Sequence, residues 1–387
     1  MQKSELSTVM TEVTDKRIRW SKEGSKRGPV IVLFVGIHGN EPAGIKAVDR
    51  LAESVEKSDI EFYGSVYAIS GNIKALELGI RYLDTDLNRL WENMDGGIET
   101  KTVNGAPKSP AEYEESLEIK ESIDQIIRKY RKEASDIIFA DLHTTSSRSC
   151  AFILLNDTLS NREIARTFPV PQILGIEENI HGTLLSYINN LGYKAIGFEA
   201  GAHNDEISIE RSEAFLWLLM DYNKVINLPS EKKRELEDQI SVHSGVPDVY
   251  FEIRHHKLVK HPEKFQMISG FQNFDLIEKD TPLAYENDKL LRAPVSGRIF
   301  MPLYQKVGHD GYLIIREVSG FWLELSAYFR NSYFHTLLKY LPGVSLLDQR
   351  SYLVNLRVAR FLVKEIFHLL GYRVYRKDEN TLICYKR

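Results

Sequence analysis

Apolar positions in the first part of the chain follow two alternating patterns, continuous runs and runs with helical spacing. Residues 29–37 (PVIVLFVGI) form a nearly continuous β-branched run, which is typical of a strand buried on both faces of a parallel sheet. Pro42 then suits the first turn of a helix whose apolar residues recur at helical spacing. The pattern predicts a strand–loop–helix unit.

The same alternation continues to about residue 230. It predicts further strands at 60–70, 136–142, 151–155 and 194–199, and helices at 111–134, 182–191 and 208–227. Alternation of this kind implies right-handed crossovers and a mixed, mainly parallel sheet with helices on both faces. The predicted fold class is therefore α/β.

The pattern changes after about residue 228. Short segments with turn signals predict a smaller β-rich region over 245–330. Beyond it, apolar spacing predicts a helix at roughly 348–370, and GYRVYRKDENTLICYKR predicts a final hairpin. We expect three units, an α/β domain at 1–230, a β-rich domain at 231–335 and a helical and hairpin tail at 336–387.

Composition and net charge limit the kinds of molecule that the protein is expected to bind. The chain has 387 residues, 43% of them hydrophobic, which suffices for a large domain and a smaller companion. A formal net charge of -4 gives no electrostatic footprint for nucleic acid or an anionic membrane, and no segment approaches the roughly 20 apolar residues that span a bilayer. Cys150 and Cys384 form no C-x-x-C pattern. We expect a soluble cytoplasmic protein that acts on a small molecule.

Four polar loops lie at or near the ends of predicted strands. They are GIHGNEPAG at 36–44, RYLDTDLNR at 81–89, DLHTTSS at 141–147 and GFEAG at 197–201. Because the carboxyl ends of parallel strands can converge in one crevice, His38, Glu41 and His143 could approach a single ion. Catalytic zinc needs a few such ligands and an open position for water. The H-x-x-E spacing alone is common by chance, so it is the set of four loops that favours a functional site.

These segments resemble the succinylglutamate desuccinylase/aspartoacylase family, relatives of the zinc carboxypeptidases, over roughly residues 28–230. The resemblance implies a zinc carboxypeptidase-like catalytic domain with one Zn²⁺ per chain. In that family the H-x-x-E pair and the downstream histidine bind the metal, which implies His38, Glu41 and His143 as ligands.

The resemblance also implies catalytic roles for two residues. Glu199 corresponds to the general base, and Arg81 to the cation that stabilises the developing oxyanion. Arg89, with Asn88 beside it, suits the binding of a substrate carboxylate through paired hydrogen bonds. Both arginines could instead be structural. Asp141 is interpreted as a strand-ending residue and His203 as a solvated loop histidine.

The chain departs from the aspartoacylases proper just before Glu199. They carry an arginine about ten residues before the glutamate, whereas the window YINNLGYKAIGFE has only Lys194, so specificity for an N-acyl aspartate is not predicted. The leading hypothesis is a zinc-dependent amide hydrolase that deacylates an N-acyl amino acid or a related small N-acyl compound. The alternatives are a metallocarboxypeptidase acting on short peptides and a catalytically silent zinc-binding module. The C-terminal extension could cover the pocket, form a homo-oligomer or bind another protein.

Overall fold

A computed structural model of the protein describes residues 17–93, 101–103, 106–241, 249–348, 351–359 and 363–387. Parts of the predicted 348–370 helix and the start of the predicted β-rich region lie outside these ranges. Among the described residues, no helix is both long and apolar enough to cross a membrane. The cytoplasmic location stays a prediction.

The helices and strands are numbered in chain order within the described ranges. Strands β1 to β20 are Ile18–Glu23, Lys26–Val35, Tyr63–Ser70, Lys101–Val103, Ala106–Lys108, Ile137–Thr145, Phe152–Leu155, Gln172–Leu174, Lys194–Ala202, Tyr250–Leu258, Phe265–Met267, Leu276–Ile277, Pro282–Glu286, Lys289–Arg292, Gly297–Phe300, Asp310–Val318, Val344–Asp348, Ser351–Asn355, Tyr372–Asp378 and Thr381–Lys386. Helices α1 to α9 are Ala43–Glu56, Ile73–Leu78, Ala111–Tyr130, Leu159–Ala165, Leu184–Asn190, Glu206–Tyr222, Ser230–Ser241, Gly320–Arg330 and Val363–Leu369. Short 3-10 turns lie at Leu87–Arg89, Trp91–Asn93, Ile176–Glu178, Pro262–Lys264 and Tyr333–Tyr340.

The main sheet has 11 strands in the order β1-β3-β2-β6-β9-β7-β8-β10-β16-β15-β12. Pairing is parallel along β3-β2-β6-β9 and again along β7-β8-β10, and antiparallel at the other junctions. Every predicted strand and helix before residue 230 is present, with boundaries shifted by a few residues. The predicted α/β class with a mixed sheet is confirmed.

Both faces of the sheet are covered, as the apolar run in β2 predicts. Leu33 and Val35 pack into a core that includes α1 and α6, whereas Val32 and Phe34 pack into a second core with α3 and α5. Successive side chains of a strand point to opposite faces, so a strand between two helical layers must be apolar throughout. Full burial of each such side chain stabilises the fold by roughly 1.5–3 kcal/mol.

The later part of the chain is β-rich, as predicted. Strands β10, β16, β15 and β12 extend the main sheet, and β11, β13 and β14 form a separate antiparallel sheet. Hydrogen bonding between β8 and β10 therefore makes the sheet continuous from the first region into the second. The division into three domains with the predicted boundaries stays a prediction.

The tail departs from the sequence prediction in one element. The final hairpin is confirmed as β19 and β20, but the segment predicted to be helical from 348 contains strand β18, and helix α9 is only seven residues long. Tyr352 and Val354 point into the same small core as Phe367, which is the two-residue alternation of a strand. A short apolar run such as 352–354 is compatible with either a strand or a buried helix when the sequence alone is considered. The helix prediction was therefore wrong over 351–355.

Candidate functional site

The proposed ligands lie where β2, β6 and β9 end side by side. His143 is on β6 directly opposite Glu199 on β9, and His38 follows the end of β2, which pairs with β6 on its other side. Between His38 and Glu41, Gly39 packs so tightly against α2 that a Cβ atom would lie 2.1 Å from the carbonyl carbon of Ala75. The loop can take this path only with glycine at position 39.

His38, Glu41 and His143 form a compact buried group. Nδ1 of His38 lies 2.9 Å from Oε1 of Glu41, and Nδ1 of His143 lies 3.0 Å from Oε2 of the same carboxylate. One ligand atom from each residue falls within 4.8 Å of the others. The Thr144 backbone N–H also donates to Oε2 of Glu41 at 3.0 Å and fixes the carboxylate. All three side chains therefore point toward a common centre.

A carboxylate also lies beside the second ring nitrogen of each histidine. Nε2 of His38 is 3.1 Å from Oδ1 of Asp86, and Nε2 of His143 is 2.8 Å from Oδ2 of Asp141. The second contact has the distance of an ion pair but not the angles of a hydrogen bond. Carboxylates in this position fix the orientation and tautomer of metal-binding histidines in other proteins.

Arg81 supplies the permanent positive charge of the site. Its guanidinium donates to Oε1 of Glu41 at 3.3 Å and to Oδ2 of Asp86 at 3.0 Å. Burial by itself raises the pKa of Asp86, but Arg81 and His38 outweigh it and hold that pKa well below its ordinary value. Arg81 is therefore anchored by the same carboxylates that contact His38.

Glu199 is buried, and one of its carboxylate oxygens has no hydrogen-bond partner among the described residues. Burial raises the pKa of Glu199 to about 8, although the nearby charge of His143 opposes the shift. A cation held by the neighbouring ligand side chains would lower this pKa again, because positive charge favours the carboxylate form. Burial and a bound cation would therefore shift the pKa of Glu199 in opposite directions.

Asn88 and Arg89 are near the group but already have partners. The Asn88 side-chain oxygen accepts the backbone N–H of Leu184 at the start of α5, at 2.8 Å. Arg89 donates to Oδ2 of Asp310 on β16 at 2.6 Å, and the side chain of Arg89 is 30% exposed. The structure brings His38, Glu41, His143 and Arg81 into contact, places Glu199 beside them, and leaves Asn88 and Arg89 at the edge.

Two residues that the sequence did not indicate, His203 and Gln305, lie beside the site. Nδ1 of His203 lies 2.8 Å from the Thr144 hydroxyl, and burial lowers the pKa of the ring, so the interpretation as a solvated histidine was wrong. Gln305, in the loop between β15 and β16, accepts a hydrogen bond from Asn40 at 3.3 Å. Asp86 belongs to a loop that the sequence had marked, but no spacing signal identifies His203 or Gln305.

Part of the sequence matches a known protein family. Residues 27–214 match the sequence profile of the succinylglutamate desuccinylase/aspartoacylase catalytic domain. The succinylglutamate desuccinylase of Pseudomonas syringae pv. tomato is 35% identical over 95 residues, covering 21% of this chain and 28% of that protein. The Pseudomonas aeruginosa PAO1 protein of the same name is 28% identical over 227 residues, covering 53% and 64%. The matches thus span less than two-thirds of these relatives.

Solved structures share the fold at low sequence identity. A succinylglutamate desuccinylase/aspartoacylase from Rhodobacter sphaeroides superposes with a TM-score of 0.54 at 13% identity, covering 77% of this chain and 88% of that one. A product-bound ectoine utilization protein from Ruegeria pomeroyi gives a TM-score of 0.53 at 15% identity, covering 76% and 87%. These findings show that residues 27–214 are similar to the catalytic domain of the succinylglutamate desuccinylase/aspartoacylase family, and that solved structures of that name share the fold.

Proposed function

We propose that the protein is a zinc-dependent deacylase, which hydrolyses the amide bond of an N-acyl amino acid or a related small N-acyl compound. The observation that carries the proposal is the convergence of His38, Glu41 and His143 on one centre beside the buried carboxylate of Glu199. Relatives named succinylglutamate desuccinylase support the class of reaction.

The side chains fit a zinc ion by their chemistry. Two imidazoles and one carboxylate are the donor set of many catalytic zinc sites, and such sites keep a further position open. The Asp86 and Asp141 contacts with the remaining ring nitrogens match the support that zinc-binding histidines usually have. When bound, zinc supplies a Lewis acid and lowers the pKa of a coordinated water toward neutrality.

In this proposal Glu199 moves the proton. It would accept a proton from the attacking water and return it to the amine that leaves, which requires a pKa close to the working pH. Burial moves the pKa of Glu199 in that direction. The absence of a protein partner for its free oxygen, among the described residues, leaves that oxygen available for the reacting atoms.

Arg81 is proposed to stabilise the negative charge that develops on the amide oxygen. Its contacts with Glu41 and Asp86 hold the guanidinium at the site before substrate arrives, and preorganised charge of this kind is effective in a buried cleft. Asn88 and Arg89 are proposed to bind a substrate carboxylate. For Arg89 this requires that the carboxylate share or displace the ion pair with Asp310.

The proposal can be tested by measuring zinc and turnover together. Wild-type protein, His143→Ala and the exposed-site control His261→Ala would be reconstituted with zinc, and their metal content measured by elemental analysis. The same preparations would be assayed for release of free amino groups from N-acetyl and N-succinyl derivatives of acidic, basic and apolar amino acids. Dipeptides would serve as the comparison substrates.

We expect about one zinc per chain in the wild type and in His261→Ala, and loss of both zinc and turnover in His143→Ala. Full zinc content in His143→Ala would contradict the ligand assignment. Faster hydrolysis of dipeptides than of every N-acyl amino acid would favour the metallocarboxypeptidase. Zinc binding without turnover of any compound would favour the silent binding module.

A further inference from the structure

A single buried carboxylate anchors the loop at 81–89 to helix α3. Glu112 is the second residue of α3, and its side chain is fully buried. Its Oε1 atom accepts the backbone N–H of Leu83 at 2.6 Å, and its Oε2 atom accepts those of Asp84 and Thr85 at 3.1 Å. Three consecutive N–H groups outside any helix or strand therefore share one carboxylate.

Glu112 is also linked to the loop that carries the first two proposed ligands. Its Oε1 atom accepts a hydrogen bond from Nδ2 of Asn72 at 3.1 Å, and Oδ1 of Asn72 accepts the backbone N–H of Ala75 and so caps α2. Gly39 of the ligand loop packs against Ala75. The Gly39 N–H also donates to the carbonyl of Arg81 at 3.2 Å. Both loops are therefore held together around Glu112, one directly and one through Asn72.

The carboxylate of Glu112 is fully occupied by the chain itself. A carboxylate offers about four acceptor positions, and four N–H groups fill them, three from the backbone and one from Asn72. Hydrogen bonds to an ionised acceptor are roughly twice as strong as those between neutral groups, and the N-terminal turn of a helix favours negative charge. The side chain is therefore suited to hold backbone in place and not to contact a substrate.

The anchored N–H groups lie between the two residues of the loop that reach the candidate zinc site. Arg81 precedes Leu83 by two positions, and Asp86 follows Thr85 directly. Asp86 contacts Nε2 of His38 and accepts from Arg81. A shift of the anchored backbone would therefore move both side chains. A displacement of about 1 Å, caused far from the reacting atoms, can lower a rate by about 10²-fold.

We propose that Glu112 is a positioning residue, whose carboxylate sets the placement of Arg81 and Asp86 at the candidate zinc site. It acts through the backbone of the loop. The expected consequences for zinc and turnover rest on the proposed function, whereas the anchoring of the loop does not. A carboxylate that only stabilised the fold would leave the loop and the site unchanged in the molecules that remain folded.

The test compares Glu112→Gln with two controls in the full chain reconstituted with zinc. Glu112→Gln keeps the size of the side chain but replaces one acceptor oxygen by an NH2 group, which cannot accept. Glu114→Gln is the matched control on the same helical turn, because Glu114 is exposed and pairs with Lys74. Asp157→Asn controls for lost stability, because its ion pairs are with arginines outside this loop.

Three measurements separate the anchoring from its consequences. Hydrogen–deuterium exchange with mass spectrometry of peptides that contain residues 83–85 reports on the anchored backbone. Competition with a chromogenic chelator gives the zinc affinity. Steady-state kinetics with the N-acyl compound that the wild type hydrolyses fastest gives kcat. Glu112→Asp, which keeps both oxygens on a shorter side chain, should show the same changes at smaller size and replaces Glu112→Gln if that variant does not fold.

We expect residues 83–85 of Glu112→Gln to exchange about tenfold faster or more than in the wild type and both controls. Zinc affinity should fall by about 10–100-fold and kcat by about tenfold or more, with neither changed in the controls. The proposal is overturned if exchange is unchanged, if faster exchange leaves zinc affinity and kcat as in the wild type, or if Asp157→Asn shows the same losses. A wild type that neither binds zinc nor hydrolyses any compound contradicts the proposed function, and exchange alone then decides whether Glu112 holds the loop.

Discussion

Two buried clusters of charged side chains differ in their charge balance, one at the candidate zinc site and one, here called the tail cluster, where the last segment of the chain packs against the region before residue 230. In the zinc-site cluster, carboxylates greatly outnumber permanent cations. Its members are Glu41, Asp86, Asp141 and Glu199, with Arg81 as the arginine. The difference of four carboxylates and one arginine leaves three negative charges to be balanced by protons or by a metal.

In the tail cluster the protein supplies its own counter-charges, with four arginines for three carboxylates. Its carboxylates are Asp157, Glu177 and Glu178, and its arginines are Arg162, Arg330, Arg373 and Arg387. Arg330 on α8 donates to Asp157 at 2.7 Å and Arg162 on α4 at 2.5 Å. Arg387, which follows β20, pairs with the same carboxylate. Burial alone raises the pKa of Asp157, but the arginines hold it well below its ordinary value.

The difference is the one expected between the proposed zinc site and a cluster that only joins parts of the fold. Burying unbalanced charge is costly, so a cluster with excess carboxylates is stable only with added positive charge. Burial alone would lower the pKa of His143, but Asp141 and Glu41 raise it well above its ordinary value. The carboxylates around His143 therefore favour positive charge at this position. The tail cluster needs no such addition, and its arginines join segments that are remote in sequence.

The largest expected effect is on catalysis. Glu199→Gln should lower kcat by roughly 10²–10⁴-fold, because an amide cannot accept the proton, while zinc content stays that of the wild type. Steady-state kinetics and elemental analysis on one preparation measure both. Glu210→Gln, an exposed position on α6, is the control. If Glu199→Gln retained activity, Glu199 would not be the general base.

Next in size is the stability of the tail cluster. Asp157→Asn leaves several buried arginines without their shared carboxylate and should lower the free energy of unfolding by about 3–5 kcal/mol. Urea denaturation followed by circular dichroism measures it. Asp49→Asn breaks only the exposed pair with Arg19 and should cost at most about 1 kcal/mol. Equal effects of the two substitutions would show that the tail cluster contributes no more than a surface pair.

Asp86 should affect metal binding rather than folding. Asp86→Asn weakens the support of His38 and should reduce zinc affinity by about 10–100-fold. Competition with a chromogenic chelator measures the affinity. Asp84→Asn is the matched control, since Asp84 is in the same loop but accepts the backbone N–H of Ala111 instead. An unchanged affinity in Asp86→Asn would mean that Asp86 only anchors Arg81.

The smallest effect concerns Asp310, the partner of Arg89. Burial alone raises its pKa, but His256 and Arg89 lower it to about 2. Because the folded pKa is depressed, this stabilisation is present above the unfolded pKa and is lost as pH falls from about 4 to about 2, a change of about 2 kcal/mol. Thermal melting across that range should show a shallower pH dependence in Asp310→Asn. A slope equal to that of the wild type would contradict the shift.

The helices and strands before residue 230 could be predicted because a strand that is buried on both faces is apolar at every position. The run in β2 and the helical spacing in α1 and α3 required no knowledge of their partners. The four loops also predicted which strand ends meet, and the structure does bring His38, Glu41 and His143 together. Their roles and that of Glu199 stay predictions.

What the sequence missed depends on contacts between distant segments. Strand β18 is set by its pairing with β17 and β20, which a short apolar alternation does not reveal. The position of His203 depends on the fold of β9 against β6, and Arg387 reaches Asp157 across 230 positions of sequence. Such pairs carry no local pattern.

The strand order of the main sheet has a consequence for synthesis of the chain. Strand β9 lies between β6 and β7, although it follows both in sequence. A growing chain on the ribosome has therefore made β6 and β7 well before the strand that separates them exists. The edges of β6 and β7 that pair with β9 stay unpaired until some fifty more residues have emerged, and during that time they can pair incorrectly. Slowing translation near β9 should then change the yield of native protein more than slowing it within the tail.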